Sequence, residues 1–248
     1  MQNRFTGDIG DFGKYGLLRY IAKSGLRIGV NWYLTDDGEE SAGNLTDYLA
    51  EKYNGYLECD SELFKELYRI VYIQNARTVK RIEASSLLPP QTLFYSKILK
   101  ANKAYREKWF QDSLKHLATC SLLFLDPDNN ILLNGTGSRF DNEGIKYAFP
   151  LEIESYYNQG HSLIVYNHSN RQNEQDYFER FDFVKEQPSF NNARFFLLRF
   201  NRQQVRYYLF VLQPWDSSAV EVYVDEMLKG PWGRKWKWKR PHFEKMEL

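Results

Sequence analysis

Ser121–Leu125 (SLLFL), running into Asp126-Pro127-Asp128-Asn129-Asn130, is the stretch that decides the fold. It is short, uncharged and closed by a cluster of turn-forming residues, which reads as a strand buried on both faces of a parallel sheet. Two other stretches repeat the pattern. Arg27–Leu34 (RIGVNWYL) stops at Thr35-Asp36-Asp37-Gly38, and His161–Tyr166 (HSLIVY) ends in Asn167-His168. Helical periodicity separates them. A long amphipathic helix is predicted from about Ser96 to Leu117, with Ile98, Leu99, Ala101, Tyr105, Trp109, Leu114 and Leu117 as its apolar positions. Further helices are predicted over 144–158 and in the stretch EQDYFERF. Near the start, Leu17, Leu18 and Ile21 mark one face of a helix ending at Ser24-Gly25, preceded by a glycine-punctuated polar loop. Residues 44–69 read as mostly helical, and Arg69–Ile73 (RIVYI) as a short strand. Ala193–Phe200 and Arg206–Leu212 read as two strands joined through Asn201-Arg202-Gln203, a hairpin-length connection.

Strands alternating with helices imply a parallel α/β sheet, and the closing hairpin adds an antiparallel edge. The expectation is one domain over 1–248 with a Rossmann-like, class I methyltransferase-like sheet. Residues 1–25 would form a loop and helix over the site, and 230–248 a basic aromatic tail.

Composition narrows the partners. The 248 residues carry 33 Lys+Arg against 32 Asp+Glu, so a uniformly basic nucleic-acid coat is excluded and charge recognition must be local. The 18 Tyr, 17 Phe and 6 Trp argue for a packed chain rather than a disordered one. Cys59 and Cys120 alone make neither a disulfide framework nor a zinc site. With Asp8 and Asp11 where a signal peptide would need apolar residues, and no long apolar run, the expectation is a cytoplasmic protein with no membrane partner.

Ligands of such sheets sit beyond the carboxyl ends of the strands. Three polar clusters fall there: Asp36 and Asp37; Asp126, Asp128 and Asn129; and Asn167, His168 and Arg171. Asp126 and Asp128 suit either an acceptor for an amine N–H or hard oxygen ligation of Mg²⁺ or Mn²⁺. They read equally as a polar turn with its own capping bonds. His168 suits proton transfer and Arg171 an anionic group, with helix capping as the plain alternative. Gly7-Asp8-Ile9-Gly10-Asp11-Phe12-Gly13-Lys14 is no Walker loop, because no Ser or Thr follows Lys14 and no strand precedes it. It reads as a capped helix start or as a loop that brings Lys14 to the sheet edge. In Trp232–Arg240, Arg234, Lys235, Trp236, Lys237 and Trp238 interleave cations with indoles. That pattern fits phosphate contact with base stacking, and fits an edge strand with one apolar face.

The stretch TGDIGDFGKYGLLRY resembles the N-terminal signature of a family of adenine-N6 methyltransferases acting on large-subunit (23S) ribosomal RNA, Ala-Gly-Asn-x-Ala-Asp-x-x-Lys-His. Gly7, Asp8, Asp11 and Lys14 match in step, with Tyr15 in the His place. Trp32-Tyr33-Leu34-Thr35-Asp36 is similar to that family's first strand, and Asp126-Pro127 to the start of its Asp-Pro-Pro-Tyr motif. Asp128 and Asn129 replace the second Pro and the aromatic. The layout also resembles the three-Cys-motif partner proteins of defence-associated neighbourhoods. The resemblance implies S-adenosylmethionine as cofactor, held by Asp36, Asp37, Gly38, Asp8 and Asp11. It also implies that Asp126 orients an amine, with Asp128, Asn129, Lys14 and His168 lining the site. Two other readings stand beside it. One is a metal-dependent nuclease or phosphodiesterase using Asp36, Asp37, Asp126, Asp128 and His168. The other is an inactive homologue that binds nucleic acid.

Overall fold

The computed structural model describes residues 1–38, 45–50, 55–133, 138–169, 174–235 and 240–248, with the side chains of Glu174 and Asp176 left out. The helices are α1 (Ile9–Ile21), α2 (Tyr56–Cys59), α3 (Ser61–Tyr68), α4 (Val79–Glu83), α5 (Lys103–Leu117), α6 (Pro150–Asn158), α7 (Glu174–Lys185) and α8 (Pro214–Lys229). The strands are β1 (Ile28–Asn31), β2 (Leu93–Tyr95), β3 (Leu122–Leu125), β4 (Ser162–His168), β5 (Arg194–Arg202), β6 (Gln204–Leu212) and β7 (Phe243–Met246). They form one seven-stranded mixed sheet in the order β2-β1-β3-β4-β6-β5-β7. The first four strands in that order run parallel, and β6, β5 and β7 are antiparallel to their neighbours.

Alternation within the strands divides the core into two layers. Val30, Leu122, Phe124, Ile164, Leu198 and Phe210 pack with residues of α1, α3 and α8. Leu123, Leu125, Leu163, Val165, Leu197 and Leu209 pack with α5, α6 and α7 on the opposite face. A strand whose two faces are both covered needs apolar residues at every position, which explains the unbroken SLLFL run. No helix among the described residues is long and apolar enough to cross a membrane, and Cys59 and Cys120 are both free and buried.

Several expectations change. The glycines of 7–16 are not mainly loop. α1 starts at Ile9, where the Asp8 carboxylate accepts the Asp11 N–H at 3.0 Å, an N-cap. Glycine weakens a helix, but here it permits close approach. A Cβ on Gly16 would lie 2.3 Å from the Trp232 ring, and one on Gly10 would lie 2.7 Å from Arg206 Nε. Arg69–Ile73 is not a strand but a π-helical turn continuing α3, closed by the Gln74 N–H on Arg69 O (2.8 Å). Its β-branched residues follow helical burial, Ile70 and Val71 inward and Tyr72 and Ile73 outward. The edge position goes instead to Leu93–Tyr95. The long helix starts at Lys103 rather than near Ser96, capped by Asn102. The helix predicted over 144–158 begins at Pro150, after a short 3₁₀ turn at Gly144–Lys146. β1 ends at Asn31 rather than Leu34, because Tyr33 takes a left-handed conformation (φ 43°) and turns the chain out of the sheet. The hairpin between β5 and β6 turns on Gln203 alone (φ 53°).

Candidate active site

β1, β3 and β4 lie side by side and parallel, so their carboxyl ends share one edge of the sheet. From β1 the sheet continues to β2 on one side and to β3 on the other, and Asp126 follows β3 at that edge, its backbone N–H donating to Asn31 O at 2.9 Å. The residue is 1% exposed. Its Oδ2 accepts the Lys14 Nζ at 2.8 Å, while Oδ1 has no hydrogen-bond partner. Lys14 comes from the second turn of α1 and is itself buried. Its Nζ is also 3.3 Å from Asp11 Oδ1 and 4.4 Å from the centre of the Tyr166 ring. The other Asp11 oxygen accepts the Gly7 N–H (2.9 Å) and the Tyr15 hydroxyl (3.3 Å).

β6 supplies a second cation. The Arg206 Nε donates to the Tyr166 hydroxyl at 3.0 Å, and its Nη2 lies 3.9 Å from Asp8 Oδ2. Its Nη1 donates to Gln204 O (2.7 Å) and Arg202 O (3.2 Å), so the tight hairpin turn holds the guanidinium in place. The Tyr208 hydroxyl is buried beside this group without a partner. Met1 closes the edge: its ammonium donates to Tyr33 O (3.2 Å) and Asp126 O (3.1 Å), and its sulfur lies 3.7 Å from Lys14 Nζ. Tyr33 itself is a bulky residue at positive φ, a strained conformation that concentrates at functional sites.

The electrostatics follow from three carboxylates sharing two cations in a dry place. Burial pulls the Lys14 ammonium down, but Asp126 and Asp11 outweigh it and hold the pKa well above its usual value. Burial raises Asp126, against the pull of Lys14. Burial lifts Asp11 from 3.8 to about 6, again against Lys14, with Asp8 and Asp126 adding to the rise. The folded value exceeds the unfolded one, so the folded protein binds the extra proton between these values. The stability contributed by this group is therefore complete below the unfolded pKa and is lost as pH rises through the folded pKa of about 6. An NMR titration of the side-chain carboxyls should place the Asp11 midpoint near 6; a midpoint at the ordinary 3.8 would contradict this account of the cluster.

The other expected site residues divide. His168 is the last residue of β4, and its backbone N–H donates to Asn129 O at 3.1 Å, so it does meet the Asp126–Asn129 turn. Its Nε2 lies 2.7 Å from Gln204 Oε1, and burial together with Arg206 lowers its pKa, which favours the neutral ring. Asp128 stands 3.8 Å from the Met1 ammonium. Asp36, Asp37 and Gly38 lie beyond β1 on the exposed surface, where the Arg4 N–H donates to Asp37 Oδ1 at 3.1 Å. The five residues considered for a metal therefore do not gather. Among the described residues no group of three or more His, Cys, Asp or Glu is placed to hold a metal ion. Arg171, Trp236, Lys237 and Trp238 lie outside the described residues, while Arg234 and Lys235 are exposed.

Arg206, Tyr166 and Tyr208 were not among the expected site residues. Arg206 carries a readable signal: a cation opening the otherwise uncharged run RYYLFVL must find a partner once that strand is buried.

No protein-family model matches the chain, and no curated protein does. Among solved structures, it is similar to the crystal structure of protein LPL1258 from Legionella pneumophila str. Philadelphia 1, of family-model DUF519. The identity is 12%, the likeness covers 97% of this chain and 96% of that one, and the TM-score is 0.44.

Proposed function

We propose that the chain is an S-adenosylmethionine-dependent methyltransferase homologue acting on an amine in a nucleic acid, built on a Rossmann-like sheet. The observation that carries this reading is Asp126: a buried carboxylate at the carboxyl end of β3, the sheet edge where open α/β folds bind ligands, with one oxygen fixed by Lys14 and the other without a hydrogen-bond partner. An N–H of an incoming amine is the donor that oxygen lacks.

The residues fit the cofactor in charge. Asp8, Asp11, Asp126 and Asp128 face Lys14, Arg206 and the Met1 ammonium, so with all of them ionised the cluster carries one negative charge more than its cations, which favours a sulfonium. S-adenosylmethionine supplies a methyl group on such a sulfonium. The chain's own part is positional. Asp126 Oδ1 accepts an amine N–H and turns the nitrogen lone pair. Lys14 holds the carboxylate in one orientation and favours its ionised form. The His168 backbone N–H fixes the Asp126–Asn129 turn against the end of β4. Asp36, exposed beyond the end of β1, would contact the cofactor's ribose. Asn129 stands where the resembling family has an aromatic, so a base must find its stacking partner elsewhere on the surface.

Titration calorimetry with S-adenosylmethionine is the test. Saturable heat, weakened in Asp36→Ala protein that keeps its circular dichroism spectrum, is the expected outcome. Folded wild-type protein giving no heat at high micromolar ligand would overturn the proposal.

A further inference from the structure

The helical arm from α3 through the π-helical turn to α4 packs against the loop that precedes α1. Arg77 Nε donates to Thr6 O (2.8 Å), the Val79 N–H donates to Asn3 Oδ1 (3.0 Å), and a Cβ on Gly7 would lie 2.4 Å from the Val71 side chain. Gly7 in turn donates its N–H to Asp11 Oδ2, so the loop under the arm also touches the Lys14–Asp126 site.

Its inner face is ordinary core, with Leu63, Phe64, Leu67, Ile70 and Val71 buried. Its outer face is not ordinary surface. Tyr68 is 40% exposed, Tyr72 43% and Ile73 68%, and the two tyrosine rings lie 5.3 Å apart. The Tyr72 hydroxyl donates to Thr46 O (3.2 Å), which tethers the ring while much of it stays open. The π-helical turn adds a residue to the helix, and π-turns occur frequently at functional sites. Charge accompanies the rings. The arm, residues 61–83, holds Lys65, Arg69, Arg77, Lys80 and Arg81 against Glu62, Glu66 and Glu83, in a chain whose formal net charge is only +1. Lys65, Arg69, Lys80 and Arg81 are exposed. Arg69 is paired with Glu66, which leaves the surplus on Lys65, Lys80 and Arg81.

We propose that this face is a docking surface for single-stranded nucleic acid, with Tyr68, Tyr72 and Ile73 receiving bases and Lys65, Lys80 and Arg81 receiving phosphates. Aromatic faces interleaved with cations are what an unpaired strand needs, because every unstacked base offers a π-face and every linkage a negative charge. A duplex hides the first and shows only the second. The surface deepens the function proposed above and rests on it for the fate of the bound strand.

The test is fluorescence anisotropy with a labelled single-stranded RNA oligonucleotide, measured without cofactor across a salt series. Tyr68→Ala/Tyr72→Ala should weaken binding by about tenfold or more. Lys80→Glu/Arg81→Glu should weaken it and lower the slope of log affinity against log salt by about two, a change that loss of structure alone does not imitate. All four residues are exposed, and the heat of S-adenosylmethionine binding should be unchanged in each pair. Wild-type protein that ignores the oligonucleotide, prefers a duplex, or binds as tightly in both variants would overturn the surface. Absent cofactor heat with these losses intact would overturn the methyltransferase reading and leave the surface standing.

Discussion

Lys14→Met should lower the unfolding free energy by about 3–5 kcal/mol, read as a fall in the urea midpoint. Methionine has nearly the length of lysine, so the change removes charge with little loss of packing. What remains is Asp126 with both oxygens unpartnered and Asp11 without its ammonium, in a region closed to water. Unpaired buried carboxylates relieve the penalty by taking up protons, which raises both folded pKa values further. A raised folded value means stability is lost as pH rises through it, so the deficit should shrink in acid and grow toward neutrality. Adding Asp126→Leu should recover part of the loss, since it removes the stranded charge along with its partner. A deficit below about 1 kcal/mol at neutral pH would show the pair to behave as an exposed one.

Arg106→Met should cost about as much, roughly 3–5 kcal/mol. The Arg106 guanidinium is enclosed between α5 and α6 and satisfies four acceptor contacts. Its Nε and Nη2 donate to the two Glu152 oxygens (2.8 and 2.9 Å), Nη1 donates to Gly144 O (3.2 Å), and Nη2 also donates to Tyr147 O (2.7 Å). It lies 3.7 Å from the centre of the Phe149 ring. Glu152 also accepts the Tyr33 hydroxyl (3.1 Å) and the Phe149 N–H that starts α6 (3.1 Å). The substitution therefore strands a carboxylate and two carbonyls and loosens a helix start. Arg106→Lys should rescue little, because one ammonium cannot reproduce a planar fork that also lies on an aromatic face. Thermal melts of the two variants check this; a lysine variant melting with wild type would assign the effect to charge alone.

The buried parallel strands were legible because burial on both faces leaves an unmistakable apolar run, as in SLLFL. The hairpin was legible from two such runs and a short connection. Other elements misled, or offered no unambiguous pattern, for physical reasons. In α8, Val220, Val222 and Val224 alternate with Glu221, Tyr223 and Asp225, which imitates a strand as well as a helix. The β-branched residues of Arg69–Ile73 spoke for a strand until α3 was seen to run straight into them. Lys14 and Asp126 were each suspected from their local surroundings, yet nothing in either stretch shows that they meet across the whole first half of the chain. Tyr166 and Tyr208 passed as core because a tyrosine in a strand is ordinarily packing.

The sheet mixes contacts of very different reach. In the hairpin, Arg202 faces Gln204 and the ladder closes outward like a zip, whereas Ile28 must find Leu122 and Leu122 must find Ser162 before either parallel pair exists. Local pairings form early and distant ones late, since loop closure is unfavourable until the long-range contacts form. The β5–β6 hairpin is thus the natural seed, and β4 joins it through β6 before β3, β1 and β2 complete the other edge. The sheet edge holding Asp126 is then among the last places to assemble in a refolding molecule, so recovery of ligand binding should lag behind recovery of secondary structure.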